Sequence, residues 1–246
     1  MDQVSAIAAS GLRSRMNALD MLANNLANSS TGGFKVDREF YSLFSAQDDD
    51  IEGSPNAMPD VKGQWTDFAQ GTLQPTGSPL DFGIDGPGFF VAAGPKGPVY
   101  TRNGAFKLSG KGVLTTNEGF PVTSAKGGVI KTESQSPITV SSDGAVEQDG
   151  ETIGQLDVVD FQDRTVLQKM GNSYFVNTNA KAKPVPVADP SVAQGRIEAS
   201  NVAPAESAVR LVGLMRQFEM LQKAITITSD MNKKSFDELS RVGGGV

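Results

Sequence analysis

Apolar residues recur at seven-residue spacing at both ends of this chain, and a Gly-rich stretch without that spacing separates them. Near the N-terminus Ser5, Leu12, Leu19 and Leu26 share one heptad position and Ala8, Arg15 and Leu22 a second, with Ala9, Met16 and Ala23 beside them; the result is a narrow apolar seam on a helix. Towards the C-terminus Leu211, Phe218 and Ile225 repeat every seventh residue, Leu214 and Leu221 follow the first two by three, and Leu239 restores the phase after Asn232. Pro204 and Glu206 suit a helix start, because Pro lacks the donor that would go unpaired there and the carboxylate faces the positive dipole end; Gly243 to Gly245 suit a stop. A helix from about Pro204 to Arg241 is roughly 55 Å long at about 1.5 Å per residue. Few compact domains need that length.

One amphipathic helix alone would read as a core-facing helix of an ordinary bundle. Here roughly 170 residues of β-type sequence separate the two helices, so the middle supplies no third helix, and they must pair with each other or with other chains. Even paired they leave apolar side chains such as Val209, Val212, Met220 and Ile227 off the seam, which neighbouring subunits could cover. The expected fold is α+β: a discontinuous coiled-coil pair of terminal helices and a central antiparallel all-β domain.

Composition narrows the function. At 246 residues the chain can bury a real core. A net charge of -6 without Lys/Arg clusters speaks against nucleic acid, whose phosphates need a concentrated cationic surface. Cysteine and histidine are both absent, which removes thiolates, disulfides, imidazole bases and the usual zinc and haem ligands together. The acidic run Asp48 to Asp50 with Glu52 reads as a solvated loop; it lacks the ligand spacing and glycine of a calcium loop, and no metal or cofactor is assigned. No apolar run is long enough for a membrane-spanning helix, and the start has neither a basic nor an apolar signal region. Export would need a route without a cleaved signal peptide.

Along the chain, the short polar residues and glycines at 28–33 break the first helix. Phe34, Phe40, Tyr41 and Phe44 follow as an aromatic cluster read as local packing. Over 45–79 no periodicity survives, and the stretch reads as an extended connector with a short strand around 71–74. From 80 to 199 short runs alternate with turn signals at Asp85-Gly86, Asn103-Gly104, Asp143-Gly144 and Asp149-Gly150. They predict antiparallel strands over 80–84, 89–92, 99–102, 105–108, 112–115, 138–140, 155–161, 166–170 and 174–176. The Pro-rich 183–190 leads out towards the last helix.

Catalytic patterns are weak. The string 83–88, GIDGPG, matches neither phosphate-loop pattern and opens no helix, so it reads as a turn. Asp81 and Asp85 lie on one face of an extended strand but roughly 13 Å apart at about 3.3 Å per residue, beyond the range of a glycosidase pair. No serine sits in a nucleophile elbow. The strongest local signal is 23–35, ANNLANSSTGGFK. Its asparagines are poor helix formers, and each either ends the helix or bonds across a subunit contact.

This string, with Ser10 to Arg13 and Leu19-Asp20 before it, resembles the N-terminal signature of the bacterial flagellar rod, hook and hook-associated axial proteins. The block 78–122, SPLDFGIDGPGFFVAAGPKGPVYTRNGAFKLSGKGVLTTNEGFPV, is similar to that family's β-domain, and 198–225, EASNVAPAESAVRLVGLMRQFEMLQKAI, to its closing helix. Over 45–67 and 125–189 the match is weak. Length, the Met-Asp start and the RQFEMLQKAI ending favour the proximal-rod branch; distal-rod members read closer to AQRAYE where this chain has Met215 to Glu219, and a distal-rod or hook-type subunit is the alternative. The resemblance implies a structural protein without catalytic residues. It implies unfolded export through the flagellar type III apparatus and assembly with copies of itself and other rod proteins in the periplasmic part of the basal body. The division expected is a helix over 1–33, a connector over 34–78, the β-domain over 79–199 and a helix over 200–246. Leu12, Leu19, Leu22, Leu26, Leu211, Leu214, Phe218, Leu221 and Ile225 are expected to carry pairing, and Asn24, Asn25, Asn28 and Phe34 to make intersubunit or helix-to-domain contacts. A carbohydrate-binding or hydrolytic β-domain on helical stalks is the competing class.

Overall fold

The computed structural model describes residues 3–44, 58–134, 136–171 and 173–243. The acidic run at 48–52 and the last two glycines of the expected helix stop lie outside them. The chain forms two compact units: Met1–Ala27, Asp37–Trp65 and Ala203–Val246 make the first, and Asn28–Val36 with Thr66–Val202 the second.

The first unit holds two helices, α1 over Gln3–Ala27 and α2 over Pro204–Gly243, which pack against each other. Strands Asp37–Phe44 and Met58–Thr66 pair as a two-stranded sheet. The second helix starts at Pro204, where the missing amide hydrogen costs nothing, and Ser207 N–H donates to Ala203 O at 3.0 Å. Its 40 residues span about 60 Å. Burial follows the predicted phase: Ser207 is buried and Leu211, Leu214, Phe218, Leu221, Ile225 and Thr228 are half-buried, in alternating steps of four and three. On α1 the buried residues are Ala18, Leu22 and Asn25, with Leu12, Leu19 and Leu26 half-buried. The seam of α1 thus turns towards its second heptad position, because small Ala18 admits closer backbone approach than a leucine.

Among the described residues the strand ladders of the second unit are antiparallel. Its six-stranded sheet runs in the order Leu167–Lys169, Tyr174–Asn177, Gly97–Thr101, Phe89–Gly94, Val158–Asp160 and Val185–Pro186. A three-stranded meander, Ile138–Val140, Ala145–Gln148 and Glu151–Gln155, and the hairpin Phe106–Leu108 with Leu114–Thr116 accompany it. Phe82, Phe90, Phe106, Leu114, Ile130 and Leu156 are among the side chains that fill one core cluster, and Phe89, Tyr100, Phe161 and Phe175 a second.

Some turns differ from the sequence reading. Asp143-Gly144 and Asp149-Gly150 do close the meander, with Asp149 at φ 54° and Gly150 at φ 85° as a tight hairpin requires. Asn103-Gly104 and Asp85-Gly86 close no hairpin. Gly104 sits where a Cβ would come within 1.7 Å of Phe82 O, so its role is close backbone approach, while the strands flanking each dipeptide belong to different sheets. The stretch after Pro190 does not lead straight out either. Val192–Gln194 pairs with Phe82–Ile84, and Arg196–Glu198 with Leu73–Pro75, before the chain reaches α2.

Candidate functional site: helical seams and a buried junction

Two features stand out as functional candidates: the apolar seam of the paired helices, and a buried knot where segments leaving the β-unit converge. On α2 the half-buried seam is balanced by exposed apolar side chains. Val209, Val212, Met220, Ile227 and Met231 are 74%, 50%, 63%, 52% and 64% exposed. At about 100° per residue they lie on the side of the helix away from Leu214, Phe218 and Ile225. The helix therefore presents one apolar seam, against which α1 packs, and on its far side exposed apolar side chains interleaved with Arg216, Lys223 and Lys234.

The asparagines divide by role. Asn25, 1% exposed, donates from Nδ2 to Asp37 O at 2.8 Å and accepts from Asp37 N–H at 3.0 Å, as a paired strand residue would. Asn28 O accepts from Thr31 N–H, and its Oδ1 accepts from the Thr31 hydroxyl, forming the turn after the helix. Asn24 is exposed on α1. Phe34 is buried in the β-unit, where the Lys169 ammonium stands 4.0 Å from its ring centroid, a cation over the negative ring face.

The glycines before Phe34 let the segment lie against the sheet. At Gly33, φ is +67° and a Cβ would fall 2.2 Å from Asn103 N; at Gly32 it would fall 2.8 Å from an Ile197 methyl carbon. No other residue fits at Gly33 without moving backbone. Gly33 N–H donates to Glu198 O at 2.7 Å. The Lys35 ammonium then reaches the Glu198 carboxylate at 2.5 Å and Ala69 O at 2.7 Å. On its other oxygen Glu198 accepts from Arg102 Nη1 at 3.1 Å, while Gly71 N–H donates to Oε1 at 2.9 Å. Arg102 Nη2 donates to Gly86 O, and its guanidinium carbon lies 5.4 Å from the Phe89 ring centroid.

Lys35, Glu198 and Arg102 are 1%, 0% and 2% exposed, so two cations and one carboxylate share a site without solvent. Burial lowers the Lys35 ammonium from its ordinary pKa, with Glu198 opposing the shift, and acts on Arg102 in the same sense. The Arg102 Nε hydrogen has no acceptor. Such a cluster is poor evidence of net stability and good evidence of specified geometry, because each member forbids arrangements that leave another unpaired.

Lys35, Arg102 and Glu198 were not singled out in the sequence, nor was Asn201, whose side chain bonds two neighbouring segments, at Val36 and at Asp67 and Ala69. The available signal was a charged or amide residue inside each of the three strings quoted above.

These features define a class: one unit is a long helix pair with exposed apolar side chains on its far side, and the other is a β-unit tied within itself by a buried polar junction. The chain matches three family profiles in order: flagella basal body rod protein over residues 6–35, flagellar hook protein FlgE/F/G D1 domain over 83–148, and flagellar basal body rod FlgEFG protein C-terminal over 193–237. It is 32% identical over 245 residues to the flagellar basal-body rod protein FlgF of Caulobacter vibrioides, covering 98% of this chain and 100% of that one. It is also 32% identical over 252 residues to FlgG of Agrobacterium fabrum, covering 92% and 95%, and 31% identical over 251 residues to FlgG of Bacillus subtilis, covering 90% and 92%. The chain belongs to the family of flagellar basal-body rod proteins.

Proposed function

We propose that this structural subunit of the basal-body rod pairs its terminal helices as an inner coiled coil and packs those pairs side by side with neighbouring copies and other rod proteins. The β-domain faces outward, and the resulting tube transmits torque from motor to hook. It is not an enzyme. The subunit is of the proximal-rod kind, leaves the cell unfolded through the flagellar type III apparatus and assembles in the periplasm. The terminal helices at 1–33 and 200–246 work as the assembly parts, 34–78 as the connector and 79–199 as the outer domain. Leu12, Leu19, Leu22, Leu26, Leu211, Leu214, Phe218, Leu221 and Ile225 carry pairing. Asn24 serves the intersubunit surface; Asn25, Asn28 and Phe34 hold the route of the chain between helix and sheet.

The exposed apolar side chains on the far side of α2, interleaved with Arg216, Lys223 and Lys234, are the observation that carries this reading. Covering Val209, Met220, Ile227 and Met231, already partly buried, stabilises by about 1–2 kcal/mol each, and a neighbour that covers them without closing a ring builds an open filament. Met is well suited to such a face because it adapts to irregular gaps. No helix among the described residues is long and apolar enough to cross a membrane. The test is Met220→Lys with Ile227→Lys, which leaves the seam and the β-unit untouched. The expected result is a folded, exported subunit that builds no rod; normal rods would refute the reading.

A further inference from the structure

The chain passes between its units after Ala27, Val36, Trp65 and Val202. Three of these crossings meet at one side chain. Asn201 Oδ1 accepts from Val36 N–H at 2.7 Å, and its Nδ2 donates to Asp67 O at 2.8 Å and to Ala69 O at 3.0 Å. Asp67 N–H in turn donates to Val36 O at 2.9 Å, and Asn201 N–H to Phe34 O at 3.4 Å. An amide is the only neutral side chain that presents an acceptor and a two-hydrogen donor side by side, so it can bond two backbones at once. Three residues upstream, Glu198 draws in Lys35 and Gly71 N–H from the same segments, and Arg102 from the end of strand Gly97–Thr101.

We infer that Asn201 is a torsional clamp: with the Glu198 cluster close by, it binds three of the four segments that leave the β-unit, near Val36, Asp67 and Val202, into one root, so that twist is shared among them rather than absorbed by one connection. A single strand between folded bodies is free to rotate about two soft dihedrals per residue. Three strands cross-bonded within a few residues are not. The inference rests on the rod reading for its mechanical meaning, while the clamp is a local property that can be tested without it.

The experiment uses the full chain with Asn201→Ala and Asn201→Asp. The second keeps the acceptor for Val36 N–H and loses both donors. Hydrogen exchange of the purified protein should accelerate on the order of 10-fold or more at Val36, whose N–H loses its acceptor, in Asn201→Ala, and much less in Asn201→Asp, which keeps that acceptor, with amides of Phe89–Gly94 unchanged. Unchanged exchange at Val36 in Asn201→Ala, or equal acceleration across Phe89–Gly94, overturns the clamp. In cells, Asn201→Ala should give a normal number of flagella and normal swimming in thin medium, with speed lost disproportionately as viscosity raises the load. A defect independent of load overturns the torsional role. A strain lacking the chain that still builds rods defeats the rod reading instead and leaves the exchange result standing.

Discussion

Replacing Glu198 by Gln tests the junction most severely, because the change is nearly isosteric and removes only the charge. In the wild type the carboxylate lies 2.5 Å from the Lys35 ammonium and 3.1 Å from Arg102 Nη1, with all three side chains at or below 2% exposure. Without it two buried cations lose their shared counter-ion and keep only the weaker pull of Asp67 on Lys35 and of Asp160 on Arg102. Breaking a buried ion pair by removing one partner costs about 3–5 kcal/mol. The glutamine oxygen can still accept from Lys35 and Gly71 N–H, but its NH2 then faces the Arg102 Nη1 donor, so only part of that loss is recovered. For a unit of this size, about 2–4 °C of melting temperature is lost per kcal/mol, which gives roughly 6–20 °C. Thermal unfolding of the full chain followed by circular dichroism measures it. The companion variant is Lys35→Met with Arg102→Met and Glu198→Leu, which removes every charge; it should recover most of the lost stability, since a buried ionic group and an apolar one of similar volume are close in net stability. The reasoning is refuted if Glu198→Gln costs less than about 1 kcal/mol, or if the triple replacement is as damaging as the single one.

Gly33→Ala and Gly77→Ala form a matched pair, for both glycines have positive φ but only Gly33 lacks room for a Cβ. The Gly77 change should cost about 1–2 kcal/mol from the left-handed conformation alone, and the Gly33 change several kcal/mol; equal costs in denaturant unfolding would dismiss the close-approach argument. Leu22→Asp or Leu221→Asp places a carboxylate in the helical seam, and should abolish assembly and motility while the near-ultraviolet circular dichroism of the β-unit persists; a swimming mutant would sink the seam. Burial raises the phenols of Tyr174 and Tyr100 above their usual pKa, helped by Glu118 and Asp157 respectively. The unfolded chain then releases these protons first, so stability falls as pH rises through about 10, and absorbance at 295 nm should show both phenolates appearing only with unfolding. Titration of all three tyrosines together near pH 10 in the folded chain would contradict this.

The helices were legible because their determinants are local. Pro204 and Glu206 mark the start of α2, and the spacing Leu211, Leu214, Phe218, Leu221, Ile225 fixes its inward face without knowledge of what it meets. The seam of α1 was legible only in part, because Ala18 and Asn25 are neither large nor consistently apolar, and their burial comes from backbone approach and from Asp37. Strand Asp37–Phe44 hid behind aromatic residues of mixed spacing, and Arg196–Glu198 behind a polar string with no alternation. Asn103-Gly104 shows the limit of turn chemistry: the dipeptide tolerates a hairpin, but so does any site where one backbone must lie against another. The junction was illegible for a different reason. Lys35, Arg102 and Glu198 are separated by 67 and 96 positions, and no periodicity relates residues that only the finished topology brings together.

Electron cryo-microscopy of basal bodies purified from cells carrying this chain tests the central claim most directly. The account predicts the chain in repeated copies along the rod, with its paired helices lining the inner wall, the Val209, Met220 and Ile227 face covered by neighbouring subunits, and the β-unit outside. A rod whose density contains no copy of the chain, or copies whose second helical face remains in solvent, would contradict it.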